Sequence, residues 1–397
     1  MDGGGWYTEG ERTKVVQLGC GITGLVCAEL LTKNPKIGEV VLADSNTTAA
    51  EILKKRLGTA KLSVVKADVT DRESLMGLLK GKDLIISSVP WELHRIVFKA
   101  ACGSGVDYVD FSFTADNPDE FGEFQRLCDK SGTTAITGAG EDPGMSDVFA
   151  RYAANKMDVP EEAYVRDGDN GSAEGYEFFS LWSPVDMLEE ATTPALIFKD
   201  GKHSFLPPLN KREIYEFPEP IGPLPVYNTT HEETFMIPTF IKGIKHADFK
   251  IAIDDNFASV SNTLRRLGLS GLKPVDVKGV KVRPIDVVVS LMPRPVDMAG
   301  KVKGYAGIVV EVIGLKDGKR IKVKVWITMS HERAYELCKS NATGYLVGSG
   351  GAIAAEMLLE GKVKEPGLHV PEQLPAEEFI SRLPAKEIFV KEQTTPA

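Results

Sequence analysis

The chain has 397 residues, of which 43% are hydrophobic and 26% charged, a balance typical of a globular protein with room for several domains. Its formal net charge of −9 gives a field that does not attract nucleic acid or anionic lipid. Apolar runs fall short of the roughly 18 residues that a membrane span needs, and residues 1–13 read as a flexible leader without the apolar core of a secretory signal.

Residues 14–140 alternate between short apolar runs and stretches with helical spacing. Helical patterns begin after Gly24 and recur around Leu75, at 91–103 and near 117–130. Continuous apolar strands that bracket helices are typical of a buried parallel sheet. The pattern therefore predicts an α/β protein with a Rossmann-type doubly wound parallel sheet. The predicted strands are 14–18, 40–43, 62–66, 83–88, 108–110 and 134–136.

A glycine-rich turn joins the first predicted strand to the first predicted helix. Gly19 permits the tight turn, Gly21 lets the backbone approach a pyrophosphate, and Gly24 allows close packing of helix and strand. The helix N-terminus then offers free N–H groups to the phosphates. This context predicts a dinucleotide site. Its predicted contacts are Gly19, Gly21, Ile22, Thr23 and Gly24.

Asp44, at the end of the second strand, favours NAD as the cofactor. A carboxylate there can accept hydrogen bonds from the ribose hydroxyls and would repel a 2′-phosphate. No arginine occurs at 45–48 to receive such a phosphate. Ligands sit at the carboxyl ends of parallel strands, so the ends of the following strands complete the predicted site. These further residues are Ser45, Asp68, Val69, Ser88, Val89 and Pro90.

Several motifs outside the turn carry a family resemblance. They are the segments 90–94 (PWELH), 108–113 (YVDFSF), 140–146 (GEDPGMS) and 344–367. With the turn, they resemble the saccharopine dehydrogenase superfamily, in particular its short branch of lysine 6-dehydrogenases and saccharopine reductases, over roughly residues 14–385. The resemblance implies hydride transfer at a C–N carbon. It also implies a homodimer and an α+β substrate-binding and dimerisation domain built on an open mixed sheet.

The second domain is predicted to span 141–345, with 346–397 returning to the first. Residues 308–313 and 321–328 form a hairpin, because Asp317-Gly318 supplies the positive φ angles that its turn needs. Residues 249–253 form another strand. A helix that begins near Gly351 has an apolar stripe with which to pack back on the first domain.

Three residues are candidates for catalytic proton transfer. Glu141 and Asp142 follow the sixth strand, close to the expected nicotinamide position, although Asp142 could instead cap a helix that begins near Pro143. His231 lies in a stretch that resembles the family's substrate-facing strand, and an imidazole ordinarily titrates near neutrality. The alternative for His231 is a solvated strand end.

The predicted substrate contacts are His94, Arg166, Glu232 and Thr234. His94 follows the fourth strand and could equally lie on the exposed face of its helix. Arg166 is an alternative partner for a substrate carboxylate, because Met236 stands where lysine 6-dehydrogenases carry an arginine. The segment 166–171 (RDGDNG) is more acidic than the corresponding family loop, which favours a cationic amine such as a diamine or polyamine.

The sequence thus predicts an NAD-dependent oxidoreductase acting on a C–N bond of an amino acid or diamine, with lysine 6-dehydrogenase-like deamination as the most concrete version. Saccharopine- or opine-type chemistry and a non-catalytic NAD-binding protein on the same fold are the alternatives. The 5 cysteines are scattered and form no CxxC pair, so we expect reduced thiols, no metal site and a cytoplasmic location.

Overall fold

A computed structural model describes residues 13–112, 118–363 and 365–397. The chain divides into two compact units. The first unit runs to Val148 and takes up Tyr345–Lys386, whereas the second consists of Phe149–Gly344 and Glu387–Ala397. The last residues therefore belong to the second unit, and the expectation that all of 346–397 returns to the first is wrong. Residues 1–12 of the predicted leader and Phe113 lie outside the described residues, whereas Thr13, the last residue assigned to the leader, begins the first strand.

Strands are numbered here in chain order. They are β1 (Thr13–Leu18), β2 (Ile37–Asp44), β3 (Leu62–Lys66), β4 (Leu84–Ser87), β5 (Asp107–Asp110), β6 (Thr134–Ile136), β7 (Val159–Asp169), β8 (Ala195–Lys199), β9 (Lys202–Leu206), β10 (Asn210–Glu216), β11 (Pro223–Asn228), β12 (His246–Ala252), β13 (Val275–Val277), β14 (Val280–Val282), β15 (Tyr305–Lys316), β16 (Lys319–Trp326), β17 (Met329–Ser330), β18 (Gly367–His369) and β19 (Lys391–Pro396).

The α-helices follow the same numbering. They are α1 (Ile22–Thr32), α2 (Thr48–Leu57), α3 (Arg72–Leu79), α4 (His94–Ser104), α5 (Pro118–Ser131), α6 (Met145–Ala154), α7 (Pro184–Thr192), α8 (Glu233–Phe240), α9 (Asp255–Leu267), α10 (Pro284–Leu291), α11 (Pro295–Met298), α12 (His331–Cys338), α13 (Ala342–Leu359) and α14 (Ala376–Arg382). Among the helices described, none has both the length and the apolar content that crossing a bilayer requires.

The first unit is built on a seven-stranded sheet with the order β18-β6-β5-β4-β1-β2-β3. All its neighbouring strands are parallel, because each is reached through a connection that crosses the sheet. The central strands are mostly apolar; Val40 and Leu42 of β2, for example, are fully buried. The predicted doubly wound parallel sheet is confirmed. Strand β18, only three residues long, was not predicted.

The second unit contains a mixed sheet, also as predicted. Its main path runs β10-β11-β12-β7-β15-β16-β19, and β12 pairs with β7 in parallel while the other pairs on this path are antiparallel. The predicted hairpin is β15–β16, and its turn residues Asp317 and Gly318 have φ angles of 49° and 71°. Strand β7 lies at the middle of this path, and successive side chains along it point to opposite faces of the sheet.

Helix α13 begins nine residues earlier than the predicted start at Gly351, at Ala342. The glycines in its first half lower helix propensity and hide the start in the sequence pattern. Close packing explains why they are there: a Cβ on Gly348 would lie 2.7 Å from the Thr23 carbonyl oxygen, and one on Gly350 would lie 2.1 Å from that of Gly140. Side chains at these two positions would push the helix away from its neighbours.

Phe98 tests the core of the first unit. It is fully buried, with its ring 5.2 Å from that of Tyr108 and 4.7 Å from that of Phe124, centroid to centroid. We expect Phe98→Ala to lower the free energy of unfolding by about 3–5 kcal/mol, because it leaves a cavity among these rings. Phe205→Ala is the control, since Phe205 is 69% exposed. Urea denaturation measures both; equal losses in the two variants would contradict this packing.

Candidate functional site

The glycine-rich turn of the first unit has the geometry that a dinucleotide needs. Gly19 has a φ of +89°, and a Cβ there would lie 2.5 Å from the Ser88 carbonyl oxygen. A Cβ on Gly24 would lie 2.3 Å from the Gly19 carbonyl oxygen, so α1 packs directly against the turn. At Gly21, by contrast, a Cβ would meet no atom within 4 Å. The backbone is therefore open at the one glycine where a pyrophosphate would approach.

Two side chains fix the shape of the turn. Gln17 of β1 donates through Nε2 to Ser88 Oγ at 2.9 Å and to the Gly19 carbonyl oxygen at 3.2 Å. The Ser88 hydroxyl in turn donates to the Gly19 carbonyl oxygen at 2.8 Å. Ser88, predicted as a cofactor contact, thus supports the turn from the end of β4.

Asp44 lies at the carboxyl end of β2, as expected. Its carboxylate accepts hydrogen bonds from the backbone N–H groups of Cys20 at 2.6 Å and of Asn46 at 2.8 Å. Burial, with a smaller contribution from Asp44, raises the pKa of the Cys20 thiol to about 12, so this cysteine is no nucleophile. The other predicted cofactor residues follow strands of the same parallel sheet, and so share its carboxyl edge: Ser45 after β2, Asp68 and Val69 after β3, and Val89 and Pro90 after β4.

Glu141 and Asp142 lie between β6 and α6. The Glu141 side chain is buried, with 2% of its surface exposed, whereas Asp142 is half-buried. Helix α6 begins at Met145, and Asp147 of its first turn accepts from the Gly144 N–H at 2.8 Å. The helix therefore begins two residues later than the predicted start near Pro143. A catalytic role for Glu141 or Asp142 stays a prediction.

His94 is enclosed in the first unit, with 2% of its surface exposed. Its Nδ1 lies 3.1 Å from Ser87 Oγ and 3.3 Å from the Tyr108 hydroxyl, and its Nε2 lies 3.1 Å from Ser112 Oγ. Burial lowers the pKa of His94 to about 4, so the ring is neutral at physiological pH. The exposed-face alternative for His94 is wrong, and its role as a substrate contact remains a prediction.

In the second unit, residues 231–234 form the start of a helix rather than a strand. The Thr234 hydroxyl donates to the His231 carbonyl oxygen at 2.7 Å, and α8 begins at Glu233. His231 Nδ1 forms an ion pair with Glu233, lies 3.5 Å from a Glu232 oxygen, and its ring stacks on Phe249 with centroids 3.8 Å apart. These groups gather at one point because α8 packs on β12.

The charge state of His231 differs from the sequence expectation. Burial alone would lower its pKa, but the neighbouring Glu233, Glu232 and Glu190 carboxylates raise it well above the ordinary value. His231 is therefore an imidazolium near neutrality rather than a base. The ligand atoms of His231, Glu232 and Glu233 lie within 4.8 Å of one another, close enough to hold a metal ion, although the ion pair by itself accounts for this spacing.

A cavity of about 270 Å³ opens beside this cluster in the second unit. Its acidic lining comes from Asp167, Asp169, Glu177 and Asp254, and none of its described lining side chains is basic. Asn170 and Thr343 add neutral polar groups, and large aromatic and aliphatic side chains form most of the remaining wall: Phe179, Leu181, Trp182, Met187, Leu224, Ile251, Ile253 and Phe257. A cavity that combines carboxylates with apolar walls suits a cation carried on a hydrocarbon chain.

Burial of so many carboxylates shifts their titration. Burial, then the like charge of Asp169, raises the pKa of Asp167 to about 7. Burial also raises the pKa of Glu190 on α7 to about 8, and that of Glu232, with nearby carboxylates adding to both shifts. The His231 imidazolium opposes all three shifts. Near neutrality some of these carboxyl groups are protonated and others are anionic. An entering cation would favour the anionic forms.

Arg166, predicted as a partner for a substrate carboxylate, is not in this cavity. Successive side chains of a strand point to opposite faces, so Arg166 leaves β7 on the face opposite Asp167. There its Nη1 pairs with Asp248 at 2.6 Å and its guanidinium lies 5.5 Å from the centre of the Tyr164 ring. The guanidinium is 8% exposed and already has a counter-charge. The same alternation brings Asp167 and Asp169 to one face.

Sequence reasoning missed most of the cavity. The segment 166–171 was read as an acidic loop, although its alternating acids are the signal of a strand with a charged face. His331, which no sequence motif marks, contacts Asp169 with its Nε2 at 3.1 Å. Glu190 and Trp182 come from a separate segment, and no pattern in the sequence links them to β7.

A parallel-sheet unit with an open dinucleotide turn, joined to a mixed-sheet unit with a charged cavity, is the architecture of a two-domain NAD(P)-binding oxidoreductase. The family model described as the saccharopine dehydrogenase NADP binding domain matches residues 15–136, and that of the saccharopine dehydrogenase C-terminal domain matches residues 140–388. The chain therefore belongs to the saccharopine dehydrogenase family, as the sequence motifs indicated.

Individual relatives match the chain over more than nine-tenths of its length. A carboxynorspermidine synthase from Vibrio cholerae is 27% identical over a gapped alignment of 397 positions, which covers 94% of each chain. A carboxyaminopropylagmatine dehydrogenase from Synechocystis is 25% identical over a gapped alignment of 383 positions, which covers 93% of this chain and 95% of the relative. The structure of a saccharopine dehydrogenase (L-Glu forming) from Saccharomyces cerevisiae has the same fold, with a TM-score of 0.74 at 19% identity over 96% of this chain and 100% of that chain.

The turn can be tested by substitution at Gly24. Because a Cβ there would collide with the Gly19 carbonyl oxygen, Gly24→Ala should weaken NAD(P)H binding at least about tenfold. Gly77→Ala in α3 is the matched control, since a Cβ at Gly77 meets nothing within 4 Å. Titration of NAD(P)H fluorescence measures both affinities. Wild-type affinity in Gly24→Ala would show that this turn is not the dinucleotide site.

Proposed function

We propose that the chain is an NAD(P)-dependent dehydrogenase of a carboxylated di- or polyamine. Such a substrate has a secondary amine that joins a carboxylic acid to a chain bearing free ammonium groups. The enzyme interconverts this amine with the corresponding imine, and therefore with the free amine and an aldehyde. This places the chain among oxidoreductases of C–N bonds, with the cationic arm of the substrate as its distinguishing feature.

The acidic cavity carries this proposal. Saccharopine, with carboxylates at both ends of its amine, would meet repulsion from Asp167, Asp169, Glu177 and Asp254. A polyamine arm would instead place ammonium groups beside these acids and its methylene groups against the apolar walls. Lysine could present one ammonium group, but its carboxylate would find no cation among the described lining residues. The lining thus favours polyamine conjugates over both amino acids.

The names of the relatives support the same substrate class. Carboxynorspermidine and carboxyaminopropylagmatine both denote an amine chain that carries a carboxyl group, and each relative matches this chain along more than nine-tenths of its length. Lysine 6-dehydrogenase-like deamination, the most concrete version predicted from the sequence, lacks such support. We therefore place the polyamine conjugate first and lysine second.

The residues divide the chemical work as follows. When bound, the dinucleotide supplies the acceptor or donor of a hydride. Oxidation removes a hydride from the carbon and a proton from the nitrogen of the secondary amine, and water then cleaves the imine. The cavity carboxylates hold the distant ammonium groups, and the apolar walls keep water from the chain between them. We retain Glu141 as the proposed proton acceptor, because a carboxylate can take the proton of the amine nitrogen.

The assay follows directly. Purified full-length protein is given NADH or NADPH, an amino-acid semialdehyde and either 1,3-diaminopropane, lysine or glutamate, while the absorbance of the reduced dinucleotide is followed. We expect kcat/KM for the diamine to exceed that for lysine and glutamate at least about tenfold, because only the diamine has an amine arm free of carboxylate. N-acetylated diaminopropane is the control for charge. Preference for glutamate, lysine or the acetylated amine would refute the proposal.

We also propose NAD rather than NADP as the cofactor. Asp44 stands where the adenosine ribose would lie, and its negative charge would repel a 2′-phosphate. Lys66 is aligned with Asp44 in the neighbouring strand and is the competing feature, since it could pair with such a phosphate. Two variants separate these effects.

Wild-type protein should prefer NADH to NADPH at least about tenfold, and Asp44→Ser combined with Ser45→Arg should reverse the preference, because it replaces repulsion by a phosphate partner. Lys66→Ala is the companion variant. Binding constants for both dinucleotides give the measurement. A wild-type preference for NADPH that disappears in Lys66→Ala would assign the cofactor to NADP instead.

A further inference from the structure

The cavity contains a pair of carboxylates with a common orientation. Asp167 and Asp169 lie two residues apart on β7, so both leave the same face of the strand and both line the cavity. On the neighbouring strands, Asp167 is aligned with Ile251 of β12 and Ile308 of β15. The pair is therefore flanked by apolar side chains, and its charges are not neutralised within the sheet.

Asp169 is held in place by three hydrogen-bond donors. Its Oδ1 accepts from the Gly171 N–H at 2.6 Å and faces His331 Nε2 at 3.1 Å, while its Oδ2 accepts from the Thr343 hydroxyl at 3.4 Å. Donors aimed at both oxygens suit a carboxylate anion and leave it little freedom to rotate. The orientation of Asp169 is thus set by residues outside β7.

The backbone decides the tautomer of His331. Its Nδ1 accepts from the Ala342 N–H at 3.0 Å, so that nitrogen carries no proton. The ring proton therefore lies on Nε2 and is donated to Asp169. His331 is 1% exposed, so solvent does not compete for either nitrogen. A buried, neutral imidazole with a fixed tautomer is a device for orienting a partner rather than for exchanging protons.

We infer that Asp167 and Asp169 form the seat of one ammonium group of the substrate's amine arm, and that His331 is the positioning residue that orients Asp169 for it. The inference rests on the proposed function for the identity of its ligand. Trp182 and Phe257 line the same cavity, and their rings offer apolar surface to the methylene chain of the arm. The indole of Trp182 also offers a ring face suited to a cation–π interaction with the ammonium group.

Entry of the ammonium has a consequence for Asp167. With its pKa raised to about 7 by burial and by Asp169, Asp167 is partly protonated near neutrality. A cation beside it stabilises the anionic form, so binding expels the proton. Proton release is expected below that pKa, where the Asp167 carboxyl of the ligand-free protein is protonated. Above that pKa, Asp167 has no proton left to release. The charged groups around Asp167 are Asp169 on β7, Asp186 and Glu190 on α7, His231, Glu232 and Glu233 at the start of α8, and Glu177 and Asp254 across the cavity.

Calorimetry of spermidine binding to the full-length protein tests the seat. Titrations at about pH 6 and about pH 8, in buffers of different ionisation enthalpy, give the number of protons released. We expect release at the lower pH, affinity that rises with pH by up to about tenfold per unit, and about one proton fewer in Asp167→Asn. Asp297→Asn, an exposed acid paired with Arg294, is the control. Equal proton release in wild type and Asp167→Asn would overturn the inference.

The role of His331 is tested separately. His331→Phe keeps the ring volume but loses the donor, and it should raise KM for the amine and weaken spermidine binding at least about tenfold, with a much smaller effect on kcat. His331→Gln keeps a donor and should recover most of the affinity. His246→Phe, on the opposite face of the sheet, is the matched control. An unaltered KM in His331→Phe, or no rescue by glutamine, would overturn the positioning role.

These experiments distinguish failure of the proposed function from failure of the ammonium site at Asp167 and Asp169. Turnover of carboxylated polyamines with wild-type spermidine binding in both Asp167→Asn and His331→Phe would leave the proposed function standing and remove the seat. Turnover without any binding of free spermidine would also remove it. No turnover of any amine conjugate and no spermidine binding would refute the proposed function, and the seat with it. Circular dichroism and urea denaturation, compared with wild type, check that the second unit of each variant is folded.

Discussion

The character of the cavity in the second unit depends on two like charges, Asp167 and Asp169, buried along one face of β7. Two carboxylates in apolar surroundings repel each other and lose their hydration, so they persist only where other groups compensate. Asp169 is compensated by hydrogen bonds from the Gly171 N–H, His331 and Thr343. For Asp167 the cost of burying a charge is reduced by partial protonation, because burial and the neighbouring Asp169 raise its pKa to about 7. The strand thus places one fixed anion beside one group that titrates.

The two histidines near the cavity, His331 and His231, have different roles. His331 is tied to a backbone N–H through Nδ1, which leaves only Nε2 to donate. His231 is surrounded by Glu232 and Glu233 and carries a positive charge, and its ring lies flat against Phe249 on β12. One therefore fixes geometry without charge, while the other supplies a buried counter-charge that limits how many of the nearby acids become protonated.

The sequence was most informative where local pattern and tertiary structure agree. In the first unit, continuous apolar strands located all six strands from β1 to β6, and the glycines located the turn. Strand β18 escaped because three residues carry no periodicity, and the start of α13 escaped because its glycines serve close packing. In the second unit, the acids of 166–171 indicated a negatively charged site, and Asp167 and Asp169 do line the cavity. Their grouping with Glu190 and His331 depends on tertiary contacts between distant segments, which a single sequence does not display.

The alternation of β7 also explains why the negative charge of the cavity survives. Arg166 lies between Val165 and Asp167 in sequence and would neutralise the acid pair if the segment were a loop free to turn. As part of a strand, it is directed to the opposite face, where Asp248 takes its charge at 2.6 Å. Strand geometry therefore separates a cation from the carboxylates next to it in sequence. The excess negative charge is left for a ligand, and this excess is the reason that we propose a cationic amine.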